Sequence, residues 1–568
     1  MINQSSMLQF RAPSRHFSWR IAALLRGSCG ALLSFISLVA SATPGQLDLS
    51  FGASGVVYDT SPDLSAFAQS VVVQVDGRIV VSGSCYIAPP VEAYQACLRR
   101  YGSDGLIDRA FGANGRVVLD TPRNGYAPAV ALQEDGKIVT AGTCGDVLIY
   151  GLACVVRYLS NGMTDTAFGV NGRVALGSGY ANAISIKLDG SIFAAGSCGG
   201  ARYLTLMGPF DFCIWQVTPL GELDSSYGTS GFARTDFSGA DDAAYGIALT
   251  DDGRVLATGG CMEPVTNPTY GSICTVRYMP NGTLDVAFGV VGKVANALFG
   301  GIEKAAIVRL QSDGKVVVGG QCNTSQGCVI RYTADGASDL SFGIGGIVAI
   351  PTGVFDLAIQ LDGRIVVLGN CAGRLCATRL KSNGATDADY GVNNAADSGL
   401  QGFNVYGGAK PSLVLQKDGK ALVVGTCVPD VYYSDFCLAR FLRGPYDPLT
   451  CALNADANNT IESSTDALLI LRYLLGYRGA ALTNGALGSN PTRTGHALET
   501  HLASLNLDAD GDGQVHAMTD GLLILRAMLG LSGNALTAGT VNTSSPTVRN
   551  AQQILTWIES THGVACLP

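Results

Sequence analysis

The stretch from residue 43 to residue 445 contains no histidine, since all five histidines of the chain lie outside it. This absence excludes Ser-His-Asp and Cys-His triads and imidazole metal ligands from most of the chain. No catalytic constellation is recognisable there, so we do not expect an enzyme, although a pair of aspartates as in glycoside hydrolases stays open.

Positive charge is also scarce. Charged residues make up 14% of the 568 residues, the net charge is −8, and lysine and arginine form no run. Nucleic-acid binding needs clustered positive charge to neutralise phosphates. The sequence therefore predicts no nucleic-acid partner.

Long hydrophobic runs are missing as well. The segment ALLSFISLVA at 31–40 is about half of the ~20 residues that a membrane-spanning helix requires. Four arginines precede it, and Ala40 and Ala42 follow at the small-residue positions of a cleavage site. Residues 1–42 are therefore predicted to be a signal peptide. The mature chain is expected to be secreted, extracellular or periplasmic, without a transmembrane anchor.

Two short motifs recur seven times between residues 47 and 445. The first is an Asp-Gly turn followed by an apolar run that ends in cysteine, as in VDGRIVVSGSC at 75–85. Its aspartates are Asp76, Asp135, Asp189, Asp252, Asp313, Asp362 and Asp418. The second motif is Asp-x-x-Phe-Gly or Asp-x-x-Tyr-Gly, at Asp48, Asp108, Asp165, Asp224, Asp285, Asp339 and Asp387. We number the repeat units 1 to 7 by their Asp-Gly turns.

Each unit predicts four short strands, which in the first unit are GVVYDT, SVVVQV, RIVVSGSC and ACLRRY. An Asp-Gly pair between two apolar runs favours a hairpin, because both residues tolerate positive φ. Seven such units predict a mainly β fold, a seven-bladed β-propeller over residues 43–445, with a β-solenoid as the alternative. Because the last unit lacks a following Asp-x-x-Phe-Gly motif, we expect the segment at Asp48 to complete it and close the ring.

Fourteen cysteines fall two per unit, one at the end of the third strand and one at the start of the fourth. Such residues are expected to face each other across a hairpin, about 4.5–5.5 Å apart at Cα, within disulfide range. Zinc sites are the alternative, but no histidine adjoins them and secretion favours oxidation. Cys451 and Cys566 bracket the C-terminal region and are predicted to pair with each other. The predicted local pairs are Cys85 with Cys97, Cys144 with Cys154, Cys198 with Cys213, Cys261 with Cys274, Cys322 with Cys328, Cys371 with Cys376, and Cys427 with Cys437.

The repeat contains an Asp-x-x-Phe-Gly-x-x-Gly box, a Gln-x-Asp-Gly-Lys-Ile-Val-Val-x-Gly strand pair and an Arg-Tyr pair before the next turn. These motifs resemble the delta-60 repeat family of bacterial β-propeller proteins over residues 47–445. The resemblance implies a propeller fold, and it supplies no catalytic residue.

Six units carry an arginine near the end of the fourth strand, and unit 3 has Gln216 there. The arginines are Arg100, Arg157, Arg277, Arg331, Arg379 and Arg440. Each is expected to pair with a nearby motif aspartate, as Arg157 with Asp165. A ring of arginines that binds an anion in the central channel is the alternative.

The segments between paired cysteines differ most among units. In a propeller they lie on one face, which we name the loop face, and insertions on one face often mark a binding surface. Several carry tyrosines suited to a protein or glycan ligand, at Tyr94, Tyr150, Tyr270, Tyr432 and Tyr433. The alternative is that these loops pack on one another.

Residues 446–568 change to a helical pattern and contain two matching segments, LNADANNTIESSTDALLILRYLLG and LDADGDGQVHAMTDGLLILRAMLG. Alternate acidic residues followed by glycine can direct oxygens at one Ca²⁺. The second loop would use Asp508, Asp510, Asp512, Gln514 and Asp520. The first loop would bind more weakly, through Asn454, Asp456, Asn458, Thr460, Glu462 and Asp466. Residues 477–503 are expected to be a connection with part of a helix, and 547–561 a final helix.

The duplicated loop–helix segment resembles the type I dockerin module, which implies an all-α domain with two calcium sites that binds a cohesin domain. Two departures weaken the cohesin expectation. The closing aspartate stands at position 13 instead of 12, and Ser463-Ser464 in one copy corresponds to Ala517-Met518 in the other. Acidic loops solvated without metal are the alternative.

The leading hypothesis is a secreted, calcium-binding recognition or adhesion protein. Its propeller would bind a protein or glycan, and its dockerin-like module would dock to an extracellular, possibly cohesin-like, partner. An extracellular polysaccharide-degrading enzyme, a glycoside hydrolase or lyase, is the alternative, because dockerin-like modules often accompany such catalysts. A purely structural surface protein is the third hypothesis.

Overall fold

The computed structural model describes residues 44–567 with internal gaps. The gaps are 60–64, 89–91, 120–124, 145–150, 200–208, 263–270, 297–302, 324–325, 352, 361–362, 372–373, 392–395, 398–409, 417, 431–432, 443–450, 459–460, 489–490, 492, 542–547 and 563–565. The predicted signal peptide at 1–42 lies outside the described residues. None of the described helices has the length and apolar character to cross a membrane.

The repeats form antiparallel sheets of short strands, as the hairpin pattern predicts. The described residues hold five four-stranded sheets and one seven-stranded sheet. The first four-stranded sheet contains β2 (Ala66–Val73), β3 (Ile79–Ile87), β4 (Ala93–Tyr101) and β5 (Arg116–Val118). The seven-stranded sheet contains β6 (Tyr126–Leu132), β7 (Ile138–Thr143), β8 (Leu152–Tyr158), β9 (Arg173–Ile186), β10 (Ile192–Gly199), β11 (Phe210–Val217) and β12 (Phe232–Thr235).

The next two sheets repeat the four-strand order. One contains β13 (Asp242–Leu249), β14 (Val255–Met262), β15 (Gly271–Tyr278) and β16 (Lys293–Asn296). The other contains β17 (Lys304–Leu310), β18 (Val316–Gln321), β19 (Gly327–Tyr332) and β20 (Ile347–Ile350).

The last two sheets follow in the same way. One contains β21 (Asp356–Ile359), β22 (Ile365–Cys371), β23 (Arg374–Leu380) and β24 (Ala396–Asp397). The other contains β25 (Ser412–Leu415), β26 (Ala421–Asp430), β27 (Tyr433–Phe441) and the first strand of the chain, β1 (Val56–Tyr58).

The seven-stranded sheet arises because β9 is continuous. Its first half, to Ser178, pairs with β8, and its second half, from Gly179, pairs with β10. Gly177 and Gly179 both have positive φ, which lets the strand turn from one partner to the other. The result is mainly β and propeller-like.

The ends of the repeat region meet as the phase of the repeat predicts. β1 pairs with β27, with Val56 opposite Ala439 and Tyr58 opposite Cys437. The prediction that GVVYDT shares a sheet with the three following strands is wrong, because β1 belongs to the last sheet. Each sheet takes its outer strand from beyond the next Asp-x-x-Phe-Gly motif. The inner strand β2 contacts both β6 and β25, so the first sheet packs against the second and the last.

The structure contains the eight predicted disulfides, seven local and one between Cys451 and Cys566. Each local disulfide links the two cysteines of one repeat unit, with Cα atoms 5.7–5.9 Å apart, which suits a disulfide. The local disulfides are Cys85 with Cys97, Cys144 with Cys154, Cys198 with Cys213, Cys261 with Cys274, Cys322 with Cys328, Cys371 with Cys376, and Cys427 with Cys437.

The register of the hairpins corrects the expected geometry of these local pairs. The two cysteines of a unit do not stand directly opposite each other, because Cys85 stands opposite Gln95 and Cys97 stands opposite Gly83. The second cysteine of every unit is offset by two residues in the same way and stands opposite a glycine. These second cysteines are Cys97, Cys154, Cys213, Cys274, Cys328, Cys376 and Cys437.

The glycine opposite the second cysteine has a steric cause. A Cβ atom on Gly83 would lie 1.9 Å from the carbonyl oxygen of Phe67. The inner strand has a bulge there, between Ala68 and Ser70, which brings its backbone close. The Gly-x-Cys pattern of the repeat therefore reflects packing as well as disulfide formation. The glycines are Gly83, Gly142, Gly196, Gly259, Gly320, Gly369 and Gly425.

The repeated arginines pair with motif aspartates, as predicted for Arg157 and Asp165. Arg157 Nε donates to Asp165 Oδ2 at 2.9 Å, and its guanidinium carbon lies 4.2 Å from the centroid of the Phe168 ring. Its Nη1 donates to the carbonyl oxygen of Pro219 in the following unit. In unit 3, Gln216 Nε2 donates to Asp224 at 3.0 Å instead. These contacts support a structural role over an anion-binding ring.

The C-terminal residues form helices around a common apolar cluster that includes Leu469, Ile524 and Trp557. The helices are α1 (Leu468–Leu474), α2 (Gly479–Thr483), α3 (Gly495–Ser504), α4 (Leu522–Met528), α5 (Gly533–Thr537) and α6 (Ala551–His562). Short π-helical turns at Ser463–Ala467 and Ala517–Gly521 precede α1 and α4. The predicted final helix is present as α6.

The duplicated unit of the C-terminal module contains more helices than the two matching sequence segments indicated. Residues 477–503, expected to be a connection with part of a helix, contain two helices that correspond to α5 and α6. Arg472 on α1 donates to the carbonyl oxygens of Leu482 and Asn484. Arg526 on α4 makes the same two bonds, to Leu536 and Ala538.

Candidate metal centre

The second acidic loop brings three carboxylates together. One oxygen each of Asp508, Asp510 and Asp520 lie within 4.8 Å of one another. Asp510 and Asp520 are buried, whereas Asp508 is half-buried. Oxygen ligands at this separation suit a hard cation such as Ca²⁺.

A π-helical turn explains how an aspartate at position 13 reaches a loop that usually closes at position 12. The N–H of Gly521 donates to the carbonyl oxygen of His516, five residues earlier. A π-turn accommodates one extra residue within a helix and occurs frequently at functional sites. The first loop has the same turn before α1, so both copies accommodate the extra residue in one way.

Asp520 also fastens the loop to itself. Its Oδ1 accepts the N–H groups of Ala509 and Asp510, at 2.7 and 3.1 Å. Its Oδ2 accepts the N–H of His516 at 2.8 Å. These hydrogen bonds to the closing carboxylate link the start of the loop to its end, and none of them requires a cation.

Of the other two predicted ligands of the second loop, Asp512 is not among the three convergent carboxylates, and Gln514 was expected to contribute its backbone carbonyl. Asp512 is exposed, and its Oδ1 accepts the N–H of Gln514 at 2.7 Å. Gln514 is exposed too. The N–H groups of Gly511 and Gly513 donate to Asp508, so the glycine at position 6 shapes the turn as predicted.

The first loop has the same frame with fewer convergent carboxylates. Asp466 Oδ1 accepts the N–H of Ala455 at 2.7 Å, as Asp520 does from Ala509. Asp456, however, accepts the N–H groups of Asn458 and Gly488, and Glu462 is exposed.

Asn454 differs from the other residues of the first loop. No described residue donates to its buried Oδ1, while its Nδ2 donates to the carbonyl oxygen of Asn458. The predicted ligand Thr460 lies outside the described residues.

Two arginines that the sequence analysis missed hold the loops. Arg549 Nη1 donates to the carbonyl oxygens of Asp508 and Ala509, and its backbone N–H donates to the carbonyl oxygen of Asp510. Arg493 makes the equivalent bonds in the first loop. A Pro-Thr pair stands directly before Arg493 and, with Val548 between, before Arg549, which is a signal that a comparison of the two copies could have found.

The electrostatics of the second loop favour a cation. Burial raises the pKa of Asp510, and the charges of Asp520, Asp512 and Asp508 raise it further. Burial likewise raises the pKa of Asp466 in the first loop. Clustered carboxylates that repel one another are stabilised when a divalent cation neutralises them.

The loop face is described in part. Tyr94 is half-buried against Phe67 and Tyr86, with ring centroids 5.3 Å apart in both pairs. Tyr150, Tyr270 and Tyr432 lie outside the described residues, and Tyr433 begins β27.

A cavity of about 340 Å³ adjoins the loop face between units 3 and 4. It is lined by Tyr180, Phe210, Tyr245, Asp242 and Lys304, among others. Cavities of this size with aromatic walls and a few charged groups are typical of small-ligand sites.

Comparison with known proteins gives a family match for two segments. Residues 133–168 and 311–342 match a family described as a domain of unknown function (DUF5122) beta-propeller. Each segment runs from an Asp-Gly turn to the following Asp-x-x-Phe motif, in units 2 and 5. No curated protein matches the chain.

Three solved structures illustrate the structural matches. A protein of unknown function from Dyadobacter fermentans is 12% identical, with a TM-score of 0.36, and covers 68% of this chain and 99% of its own. YCF48 bound to D1 peptide is 12% identical, with a TM-score of 0.37, and covers 71% and 99%. A glucose dehydrogenase is 10% identical, with a TM-score of 0.32, and covers 68% and 99%. Over repeat units 2 and 5 this mainly β, propeller-like chain is therefore similar to a family of β-propeller domains of unknown function.

Proposed function

We propose that the protein is a secreted, calcium-binding recognition protein. The observation that carries this proposal is the convergence of Asp508, Asp510 and Asp520 in a loop that the chain repeats. The propeller would present a ligand site on the loop face, and the C-terminal module would bind Ca²⁺ and dock to an extracellular partner.

The propeller of this proposal has seven blades. Each four-stranded sheet forms one blade, and the seven-stranded sheet forms two blades that share β9. Eight disulfides support an oxidising, extracellular or periplasmic environment.

Calcium would act as a structural cross-link. Asp508, Asp510 and Asp520 would hold it in the second loop, and it would neutralise three carboxylates beside the start of α4. In the first loop Asn454 Oδ1 would join Asp456 and Asp466, which supply fewer charges. The second loop should therefore fill first.

The C-terminal module would dock through its exposed apolar side chains. Large apolar residues exposed to solvent mark interaction surfaces when they occur together. In this module they include Leu475, Met518 and Leu529, of which Met518 is 66% exposed. A protein partner, cohesin-like or otherwise, would cover them.

Recognition by the propeller is supported by the cavity between units 3 and 4. Its aromatic rings would stack on a sugar or on an apolar side chain, and Lys304 would supply a positive charge. Lys304 Nζ lies 5.8 Å from the centroid of the Tyr245 ring, so charge and ring stand together at one wall. The ligand class that fits is a glycan or an extended peptide segment.

A polysaccharide-degrading enzyme is the alternative, and the burial of the carboxylates disfavours it. In the described part of the propeller, the one group of three convergent carboxylates is Asp211, Asp236 and Asp242. Asp211 and Asp242 are each 1% exposed. A sugar ring must contact both catalytic carboxylates of a glycosidase. Asp242 lines the cavity, but the buried Asp211 is not part of its lining.

A binding screen with the full chain tests recognition. Immobilised glycans and secretome proteins of the producing organism are probed in Ca²⁺ and in chelator. Tyr245→Ala should reduce binding at least tenfold, whereas Tyr58→Ala, which lies outside the cavity lining, should not. Release of reducing sugar by the wild type would instead establish the enzymatic alternative, and equal binding by both variants would exclude the cavity.

A further inference from the structure

Three aspartates from neighbouring elements converge in the propeller, and none of them belongs to the acidic loops of the C-terminal module. Asp211 lies on β11, Asp236 directly follows β12, and Asp242 is the first residue of β13. One oxygen of each lies within 4.8 Å of one oxygen of the others. Asp211 stands opposite Cys198 and Asp242 opposite Cys261, so both occupy the loop-face end of their sheets.

Two of these carboxylates are buried, and each has one oxygen that accepts no hydrogen bond from a described residue. Asp211 uses Oδ2 to accept from Arg234, and Asp242 uses Oδ2 to accept the N–H of Phe237 at 2.9 Å. No described residue donates to Oδ1 of either aspartate. A buried carboxylate oxygen without a hydrogen-bond partner is energetically unfavourable. A positively charged ligand bound to these two oxygens would remove that cost.

The charges around the cluster do not balance. Burial raises the pKa of Asp242 to about 7, against the lowering effect of the N–H groups of Phe237 and Met262, and the charges of Asp211 and Asp236 raise it further. Burial also raises the pKa of Asp211, against the lowering effect of Arg234. The Arg234 side chain is half-exposed, so water screens part of its charge.

The third carboxylate gives access to solvent. Asp236 is exposed, and its Oδ1 accepts the N–H groups of Ser238 and Gly239. The connection from β12 to β13 therefore turns around this carboxylate. Water molecules could complete the shell of an ion from this side.

We propose that Asp211, Asp236 and Asp242 bind one Ca²⁺ ion, which ties the start of β11 to the connection between β12 and β13. All of the donor atoms are oxygens, and Ca²⁺ accepts six to eight oxygens in flexible geometry. Zinc prefers imidazole and thiolate, but the neighbouring Cys198 and Cys261 are in disulfides. This site is independent of the C-terminal loops.

Equilibrium dialysis of the full chain against radioactive Ca²⁺ tests the site. Asp242→Asn should lower the number of bound ions by one per chain, or weaken the affinity for that ion at least tenfold. Asp236→Asn, at an exposed position, should have the same effect with less risk to folding. Circular dichroism would verify that each variant is folded.

Asp435→Asn is the matched control. Asp435 lies on β27 and stands opposite Cys427, just as Asp211 lies on β11 and stands opposite Cys198. Among the described residues, however, Asp435 belongs to no group of three convergent carboxylates. It should bind as many ions as the wild type.

The proposal is overturned if Asp236→Asn and Asp242→Asn bind as many ions as the wild type, or if the control loses the same ion. Asp508→Ala separates the two kinds of site, because it should remove an ion from the C-terminal module and leave this one. The failure of the C-terminal calcium proposal would therefore not be confused with the failure of this one.

Discussion

Arg440 donates from Nε to Asp48 Oδ2 at 2.8 Å, although 392 residues separate them in the chain. Elsewhere in the propeller the same pair is eight residues apart, as in Arg157 and Asp165. One local motif therefore also joins the first and the last repeat units. Both side chains of the closing pair are buried, and Lys420 Nζ lies 3.1 Å from the same Asp48 oxygen.

Breaking this pair should destabilise the propeller. Removing one partner of a buried ion pair typically costs about 3–5 kcal/mol, because the other charge is left uncompensated. We expect Arg440→Ala to lower the free energy of unfolding by the lower end of that range, because Lys420 still faces Asp48. Arg440→Gln should cost less than half as much, because Gln216 already fills this role toward Asp224. Urea unfolding of both variants measures the difference, and equal losses would contradict the prediction.

Calcium removal should loosen the C-terminal module and spare the propeller repeats outside the proposed Asp242 site. A cation that binds only the folded form stabilises it by about 2.7 kcal/mol at a hundredfold excess over Kd. Asp508→Ala should abolish most of this stabilisation, and Asn454→Ala much less. Calorimetry of the full chain with and without chelator would show it. Identical melting of residues 446–568 in both conditions would mean that the loops are not calcium sites.

The long disulfide should matter more for stability than the short ones. In the chain-entropy account, a bridge between residues about 115 apart contributes about 4.8 kcal/mol, and one between residues about 5 apart contributes about 2 kcal/mol. The double variant of Cys451 and Cys566 to alanine should therefore cost more than that of Cys371 and Cys376. Denaturant unfolding compares the two. Peptide mapping of the unreduced protein verifies all eight pairs.

Tyr227 should lower stability at alkaline pH. Its hydroxyl is buried without a described hydrogen-bond partner, and burial raises its pKa. When the pKa of a tyrosine is higher in the folded state than in the unfolded state, ionisation favours the unfolded state. Stability is therefore unaffected by this titration below pH 10 and falls as the pH rises toward the folded value.

Tyr227→Phe should therefore stabilise the protein, by about 1 kcal/mol at pH 7 and by more above pH 10. Phe168 and Phe288 occupy the same motif position in other units. Tyr278→Phe is the control, because its hydroxyl lies 2.6 Å from Thr235 Oγ1 and its removal should destabilise. Thermal unfolding between pH 7 and pH 11 measures both, and a loss of stability in Tyr227→Phe would refute the argument.

Most of the strand arrangement could be predicted from local signals. An Asp-Gly turn such as Asp135-Gly136 joins strands that are adjacent in sequence, so the hairpin follows from the motif itself. The disulfides followed for the same reason, since both cysteines of a unit belong to one hairpin. The offset of Cys85 from Cys97 could not be seen, because it depends on the register in which β3 pairs with β4.

Part of the candidate site could be predicted as well. The ligand spacing in residues 508–520 indicated which carboxylates meet, but the π-turn that brings Asp520 inward depends on how α4 packs. Arg493 and Arg549 lie far from their loops in sequence, and only the fold places them against the loop carbonyls.

By itself the sequence determined the repeat, the turns, the cysteine pairs and the phase that brings Asp48 to Arg440. Each of these depends on residues within one unit or on the count of units. Only the tertiary structure decided that β9 runs through two units and that Asp211, Asp236 and Asp242 meet. Those features depend on how sheets from different repeats pack, and side chains distant in sequence become neighbours only when the apolar faces of the sheets are buried together.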